Sequence, residues 1–177
     1  MCQTLDKLTR FNILFMMMFI SSLWAQDIFA LKADMMQKLV ITADSTVYNN
    51  KTGITVFEGH VKVNQGSTRI NANRLVTKSN ARHKMIEATA YGILQPAQFI
   101  TLEKPGEAEL QAEAMIIKFY PGKFDVVLEQ RATVSQGNNR FQGEHILYNR
   151  ENSMVIVPES GAGKTVIIYD PDKTNHL

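Results

Sequence analysis

Phe57-Glu58-Gly59-His60-Val61-Lys62-Val63-Asn64-Gln65-Gly66, continued after Ser67-Thr68-Arg69 by Ile70-Asn71-Ala72-Asn73-Arg74-Leu75-Val76, decides the fold class of this chain. Phe57, Val61 and Val63 stand at one parity, while Glu58, His60, Lys62 and Asn64 stand at the other. Successive side chains of a strand point to opposite faces, so this is a strand with one dry and one wet face. Gln65-Gly66 is a turn signal, and Ile70-Asn71-Ala72-Asn73 resumes the alternation. The stretch reads as a β-hairpin.

Outward from it, no window after Leu39 sustains a helical period. Phe124-Asp125-Val126-Val127-Leu128 is another β-rich run, and turn signals separate the runs: Asn49-Asn50-Lys51-Thr52-Gly53, Pro105-Gly106, Pro121-Gly122 and Gln136-Gly137-Asn138-Asn139. Many short strands at such spacing make a sandwich, jelly roll or barrel.

The pattern also repeats. Apolar-polar-small-polar, with a further apolar residue four places after the small one, occurs as Ile41-Thr42-Ala43-Asp44 with Val47 and as Ile70-Asn71-Ala72-Asn73 with Val76. It recurs as Leu110-Gln111-Ala112-Glu113 with Ile116, and as Phe141-Gln142-Gly143-Glu144 with Leu147. Phe57 to Gly66 also aligns with Leu128 to Gly137, 71 residues on. Phe57, Val61 and Val63 then match Leu128, Ala132 and Val134. A short repeat cannot bury its dry face alone, so neighbouring copies are expected to stack. The small residues Ala43, Ala72, Ala112 and Gly143 are expected where two sheets approach closely or leave room for a guest. His145 shares the inward parity.

Composition agrees. The chain has 177 residues, 45% of them hydrophobic and 20% charged, which suits one domain with a packed interior and excludes a disordered chain. A net charge of +2 gives no sign of a nucleic-acid partner, and the single cysteine, Cys2, forms neither an internal disulfide nor a metal cluster. Lys7 and Arg10 precede the apolar run Phe11 to Ile20, and Ala25 closes a short polar stretch, which are the parts of an export signal. The run is shorter than the roughly 20 residues that span a bilayer. The expected divisions are a leader at 1–25, a lead-in at 26–38, one domain at 39–170 and a tail at 171–177, in an exported, periplasmic chain.

No catalytic constellation emerges. His60, His83, His145 and His176 show no ligand spacing. Glu107 and Glu109 lie two apart on one strand, whereas paired glycosidase carboxylates normally come from different strands. Gly161-Ala162-Gly163-Lys164-Thr165 looks like the end of a phosphate-binding loop. However, Pro158 replaces its first glycine, and Val166-Ile167-Ile168-Tyr169 reads as a strand where that motif needs a helix. Neither a catalytic residue nor a metal or cofactor is expected.

The central hairpin, with Tyr91-Gly92, Pro96-Ala97-Gln98-Phe99, Phe124 to Leu128 and Gly143-Glu144-His145-Ile146-Leu147-Tyr148, resembles the OstA/LptA family of periplasmic lipopolysaccharide transport proteins. The likeness runs from about Leu39 to Pro171. His60 departs from the usual Asn, Asn73 from Asp and Gln130 from Gly, and Ile93-Leu94-Gln95 is a small insertion.

The resemblance implies an all-β, antiparallel β-jelly roll of two facing sheets, open at both ends, with lipid A acyl chains between the sheets. It implies edge-to-edge stacking of copies into a homo-oligomer, LptC as the inner-membrane partner and LptD with LptE at the outer membrane. The alternation then assigns the lining: Ile41, Val47, Phe57, Val61, Val63, Ile70, Val76, Phe99, Leu110, Ile116, Leu128, Val134, Phe141 and Leu147. Taken alone, each of these reads as core packing before it reads as a lipid contact; the pattern does not separate a filled core from a groove, and the lipid role comes from the resemblance. Unpaired edge strands are expected near Leu39 and Ile41 and at Val166, Ile167, Ile168 and Tyr169. The alternatives are an LptC-like subunit that keeps its N-terminal helix as an anchor, and a secreted jelly roll that binds or cleaves glycans.

Overall fold

The computed structural model describes residues 35–158 and 165–169. The leader at 1–25, the tail at 171–177 and Gly161 to Lys164 fall outside them. Twelve strands follow in order: β1 Val40–Thr42, β2 Ser45–Asn49, β3 Ile54–Gln65, β4 Thr68–Ser79, β5 Met85–Tyr91, β6 Ala97–Thr101, β7 Leu110–Ala114, β8 Ile116–Tyr120, β9 Asp125–Gln136, β10 Asn139–Asn149, β11 Met154–Ile156 and β12 Val166–Tyr169. Every pairing is antiparallel. The turn signals fall where the sequence puts them, at the ends of hairpins.

The four long strands, β3, β4, β9 and β10, bend midway and so belong to two facing layers. In the first layer β2, the start of β3, the end of β4, β5, β8, the start of β9, the end of β10 and β11 lie side by side. In the second, β1, the end of β3, the start of β4, β6, β7, the end of β9, the start of β10 and β12 do so. The bends close one long side of this jelly roll, and hairpin tips face each other across the other.

The 71-residue repeat extends to the hydrogen-bond register. Ile54↔Lys78 recurs as Asp125↔Asn149, Val61↔Ala72 as Ala132↔Gly143, and Ser45↔Glu58 as Ile116↔Glu129. The bends repeat as well. Gly59 and His60 have φ of 78° and 45°, and their counterparts Gln130 and Arg131 have 65° and 57°. Two successive residues in the left-handed region insert one extra residue and turn the strand into the other layer. The Asp44 amide donates to the carbonyls of Glu58 and Gly59 at 3.1 and 3.0 Å, and the Met115 amide donates to Gln130 at 2.9 Å. At the first bend glycine is required, because a Cβ on Gly59 would run into the Asp44 carboxylate.

The bend corrects part of the expected lining. Ala72 faces the interior, but Asn73 and Arg74 both face out, and the inward residues beyond are Leu75 and Thr77, both buried. Val76, between them, faces outward. The same slip puts Thr46, not Val47, opposite the inward Phe57, leaving Val47 68% exposed. It buries Ile117 in place of Ile116, and Ile146 with Tyr148 in place of Leu147. His145 is likewise turned outward, since its neighbour Ile146 is buried. Shifting a strand by one residue moves every later side chain to the opposite face.

Candidate functional site

The inward faces form two apolar stripes that cross the strands without a break. In the second layer the stripe steps through paired residues, Ile41, Val63, Ile70, Phe99, Ala112, Val134, Phe141 and Ile167, from β1 to β12. In the first layer it runs through Phe57, Leu75, Ala90, Ile117, Leu128 and Ile146. Of the expected lining, Ile41, Phe57, Val61, Val63, Ile70, Phe99, Leu110, Leu128, Val134 and Phe141 lie in or against the buried interior. Sequence reasoning missed Leu75, Ala90, Ile117, Phe119, Ile146 and Tyr148, all inward and all in the first layer. The signal was present: Asn73-Arg74, Gln130-Arg131 and Glu144-His145 are successive polar pairs that interrupt the alternation.

At mid-length the layers touch. The Phe99 and Phe119 rings, from opposite layers, lie 6.2 Å apart at 40°, and Phe99 and Leu128 have no exposed surface. Toward β1 the layers separate into a cleft of about 20 Å³ lined by Leu39, Ile41, Val63, Ile70, Leu75 and Met85, room for about one water molecule. Larger hollows of about 410 and 520 Å³ lie along the bends on the outside. Arg131, Glu113 and Gln142 line the first, and the second is mixed, with Asn71, Asn73, Gln95 and Gln98 beside Ala72, Ile93, Leu94 and Pro96.

Two devices cover the open side. At the first repeat, the Gln65 Nε2 donates to the carbonyls of Met35 and Gln37 at 2.7 and 3.1 Å, drawing the lead-in over the hairpin tip. At the second, Arg150 reaches from the end of β10 to the opposite layer. Its Nε donates to Glu103 Oε1 at 3.1 Å and its Nη2 to the Thr101 hydroxyl at 2.9 Å, and its guanidinium lies 5.7 Å from the Phe99 ring centroid. Thr101 also bonds Thr68 at 3.1 Å. Arg150 and Glu103 are only 3% and 7% exposed. Burial, reinforced by the Glu103 charge, pushes the neighbouring Tyr148 hydroxyl far above its ordinary value, so it stays protonated.

The outer face is polar and paired. Lys118 Nζ meets Glu129 at 2.7 Å, and that hydrogen bond raises the lysine pKa against the opposing effect of burial. Arg69 meets Glu109 at 2.6 Å and Arg74 meets Glu58 at 3.3 Å. Glu107 and Glu109 are both exposed rather than aimed into a pocket. Asn73 accepts from the Ile93 amide at 3.0 Å, which ties down the inserted turn. At the ends, β1, β2, β11 and β12 each have one strand neighbour among the described residues. Val166, Ile167 and Ile168 are exposed there.

Residues 40–154 match the family described as LptA/(LptD N-terminal domain) LPS transport protein. Among curated relatives, the lipopolysaccharide export system protein LptH of Pseudomonas aeruginosa is 31% identical over 126 residues, 71% of each chain. The export system protein LptA of Escherichia coli is 28% identical over 162 residues, covering 88% of this chain and 86% of that one. A crystal structure of LptH, described as the LptA-homologous periplasmic component of the lipopolysaccharide transport device of Pseudomonas aeruginosa, superposes with a TM-score of 0.72 at 27% identity. That superposition covers 78% of this chain and 99% of that one. Sequence and architecture agree that this chain belongs to the LptA/(LptD N-terminal domain) family of lipopolysaccharide transport proteins.

Proposed function

We propose that this chain carries lipopolysaccharide across the periplasm, with acyl tails held between its two layers. The observation that carries the reading is the continuity of the second layer's apolar stripe from β1 to β12, faced by the first layer's stripe from β3 to β10. A buried CH₂ is worth about 0.8 kcal/mol, so a tail of roughly a dozen carbons resists entering water by on the order of 10 kcal/mol. A carrier avoids that penalty only by offering a dry path to the next carrier. The relatives' names, as export components, point the same way.

Stacking completes the path, and the internal repeat supplies its template. The two repeats join where β5 pairs β8 and β6 pairs β7. By the repeat, β11 and β12 correspond to β5 and β6, while β1 and β2 correspond to β7 and β8. A second copy docked by the same rule sets Ile167 opposite Ile41 and Val155 opposite Tyr48 of its neighbour. It also covers the exposed Val47 with Ile156. LptC, LptD and LptE, the partners that the resemblance implies, are expected at the outermost edges.

A photo-crosslinker at Phe57, Val63 or Phe141 is expected to capture lipopolysaccharide in cells, and one at the outward Lys62 or Thr133 is not. Equal labelling of both sets, or protein purified from the periplasm without co-purifying lipid, would overturn the reading.

A further inference from the structure

We infer that the Arg150–Glu103 pair is a clasp across the open side of the second repeat, which must open each time an acyl tail passes through that half of the slot. The inference rests on the carrier reading above.

Glu103 belongs to the connection between β6 and β7, in the second layer, whereas Arg150 follows β10 in the first. The two are brought together across the gap although they stand 47 positions apart in the sequence, and both are buried. Arg150 also bonds Thr101 and covers Phe99, so one side chain makes three contacts with the facing layer. The first repeat has no such tie, because the residue matching Arg150 is Ser79. There the sheets stand apart enough to leave a cleft, but beneath the clasp Phe99 and Leu128 fill the interior. A tail moving toward β12 therefore has no room until the layers part at this point. The Nη1 of Arg150 has no hydrogen-bond partner among the described residues, so the network is incomplete and its opening forfeits less than a fully bonded one. The bends opposite, with their left-handed residues, join the two layers, so a parting of the layers would pivot there.

The clasp is tested on the exported chain with purified, fluorescently labelled lipopolysaccharide. Replacing the pair together, Glu103→Leu with Arg150→Met, removes the charges while keeping apolar volume, a change that buried pairs often tolerate. Lipid release is expected to accelerate about tenfold or more, the scale of losing a charge-assisted hydrogen bond. Release within about twofold of the parent overturns the clasp. A second measurement leaves the pair intact: spin labels at Lys123→Cys and Ala108→Cys, on facing exposed tips, report the gap directly. A longer-distance population on adding lipopolysaccharide supports opening, and bound lipid with an unchanged distribution overturns the clasp while leaving the carrier reading standing. Failure of the parent chain to bind lipopolysaccharide overturns both.

Discussion

Ile167→Asp is the sharpest probe of how one copy meets the next. Ile167 continues the apolar stripe beside Phe141, yet it is 62% exposed, and among the described residues no strand pairs with β12 on its other side. By the repeat it stands where Phe99 stands in the internal joint, and Phe99 has no exposed surface. Covering a fully exposed isoleucine is worth about 1.5–3 kcal/mol, so covering the exposed share contributes about 1–2 kcal/mol to association. A carboxylate set against an apolar neighbour adds at least about 1 kcal/mol of desolvation cost. The two together weaken assembly by about 2 kcal/mol at the least, roughly thirtyfold in Kd. The monomer loses little, since an exposed position changes stability by about 0.5 kcal/mol or less. Sedimentation velocity over a concentration series reads the assembly, and a thermal scan checks the fold. Ile168→Asp is the control: Ile168 pairs with Arg140 on the outer face, where an acid finds a cation, so its effect is expected to be smaller. An Ile167→Asp chain that assembles like its parent, or a larger loss from Ile168→Asp, would refute the assigned register.

Three further outcomes are expected. Val155→Cys with Tyr48→Cys should give disulfide-linked chains under mild oxidation, because directly opposed residues of antiparallel strands lie within disulfide reach; only monomers on a non-reducing gel would contradict the joint. Gln130→Gly should stabilise the fold by about 0.5–1 kcal/mol in urea titrations, since glycine relieves the left-handed strain at a smaller entropic cost; destabilisation would show that the side chain matters more than the backbone. Stability should fall as pH rises past about 10, because Lys118 and Tyr148 both hold their protons more tightly in the folded state than their ordinary values of 10.5 and 10.0 imply. Both contributions are fully present at neutral pH and are lost on the alkaline side, so Lys118→Met should flatten that limb; an identical alkaline profile would count against the Glu129 pairing.

Much of this architecture was legible because alternation and turn chemistry are local. The hairpin from Phe57 to Val76 announces its strands, its turn and the inward faces of Val61, Val63 and Ile70 without reference to the rest of the chain. The faces of Val47, Val76, Ile116 and Leu147 were misread because each lies past a bend where the face count slips by one. Reading Asn73-Arg74 as an interruption of the alternation, instead of carrying the count through to Val76, finds Leu75. The Arg150–Glu103 contact had no local signal at all. It exists because the topology folds the β6–β7 connection over the end of β10, and neither residue's neighbours in sequence predict that meeting. Sequence similarly cannot say whether Phe99 is a wall of a groove or part of a plug, since both ask for the same side chain.

The two terminal faces of the molecule are unlike each other: β1 with β2 at one, β11 with β12 at the other. In the stacking proposed above, a contact between unlike faces would use one of each and leave one of each free, so addition of a subunit would never exhaust the capacity to add another. Such a polymer has polarity, with a distinguishable head and tail, and no intrinsic length. What would end it is a terminator bearing only one compatible face, so the number of links in a finished chain would be set by the distance between two anchored terminators rather than by the protein itself.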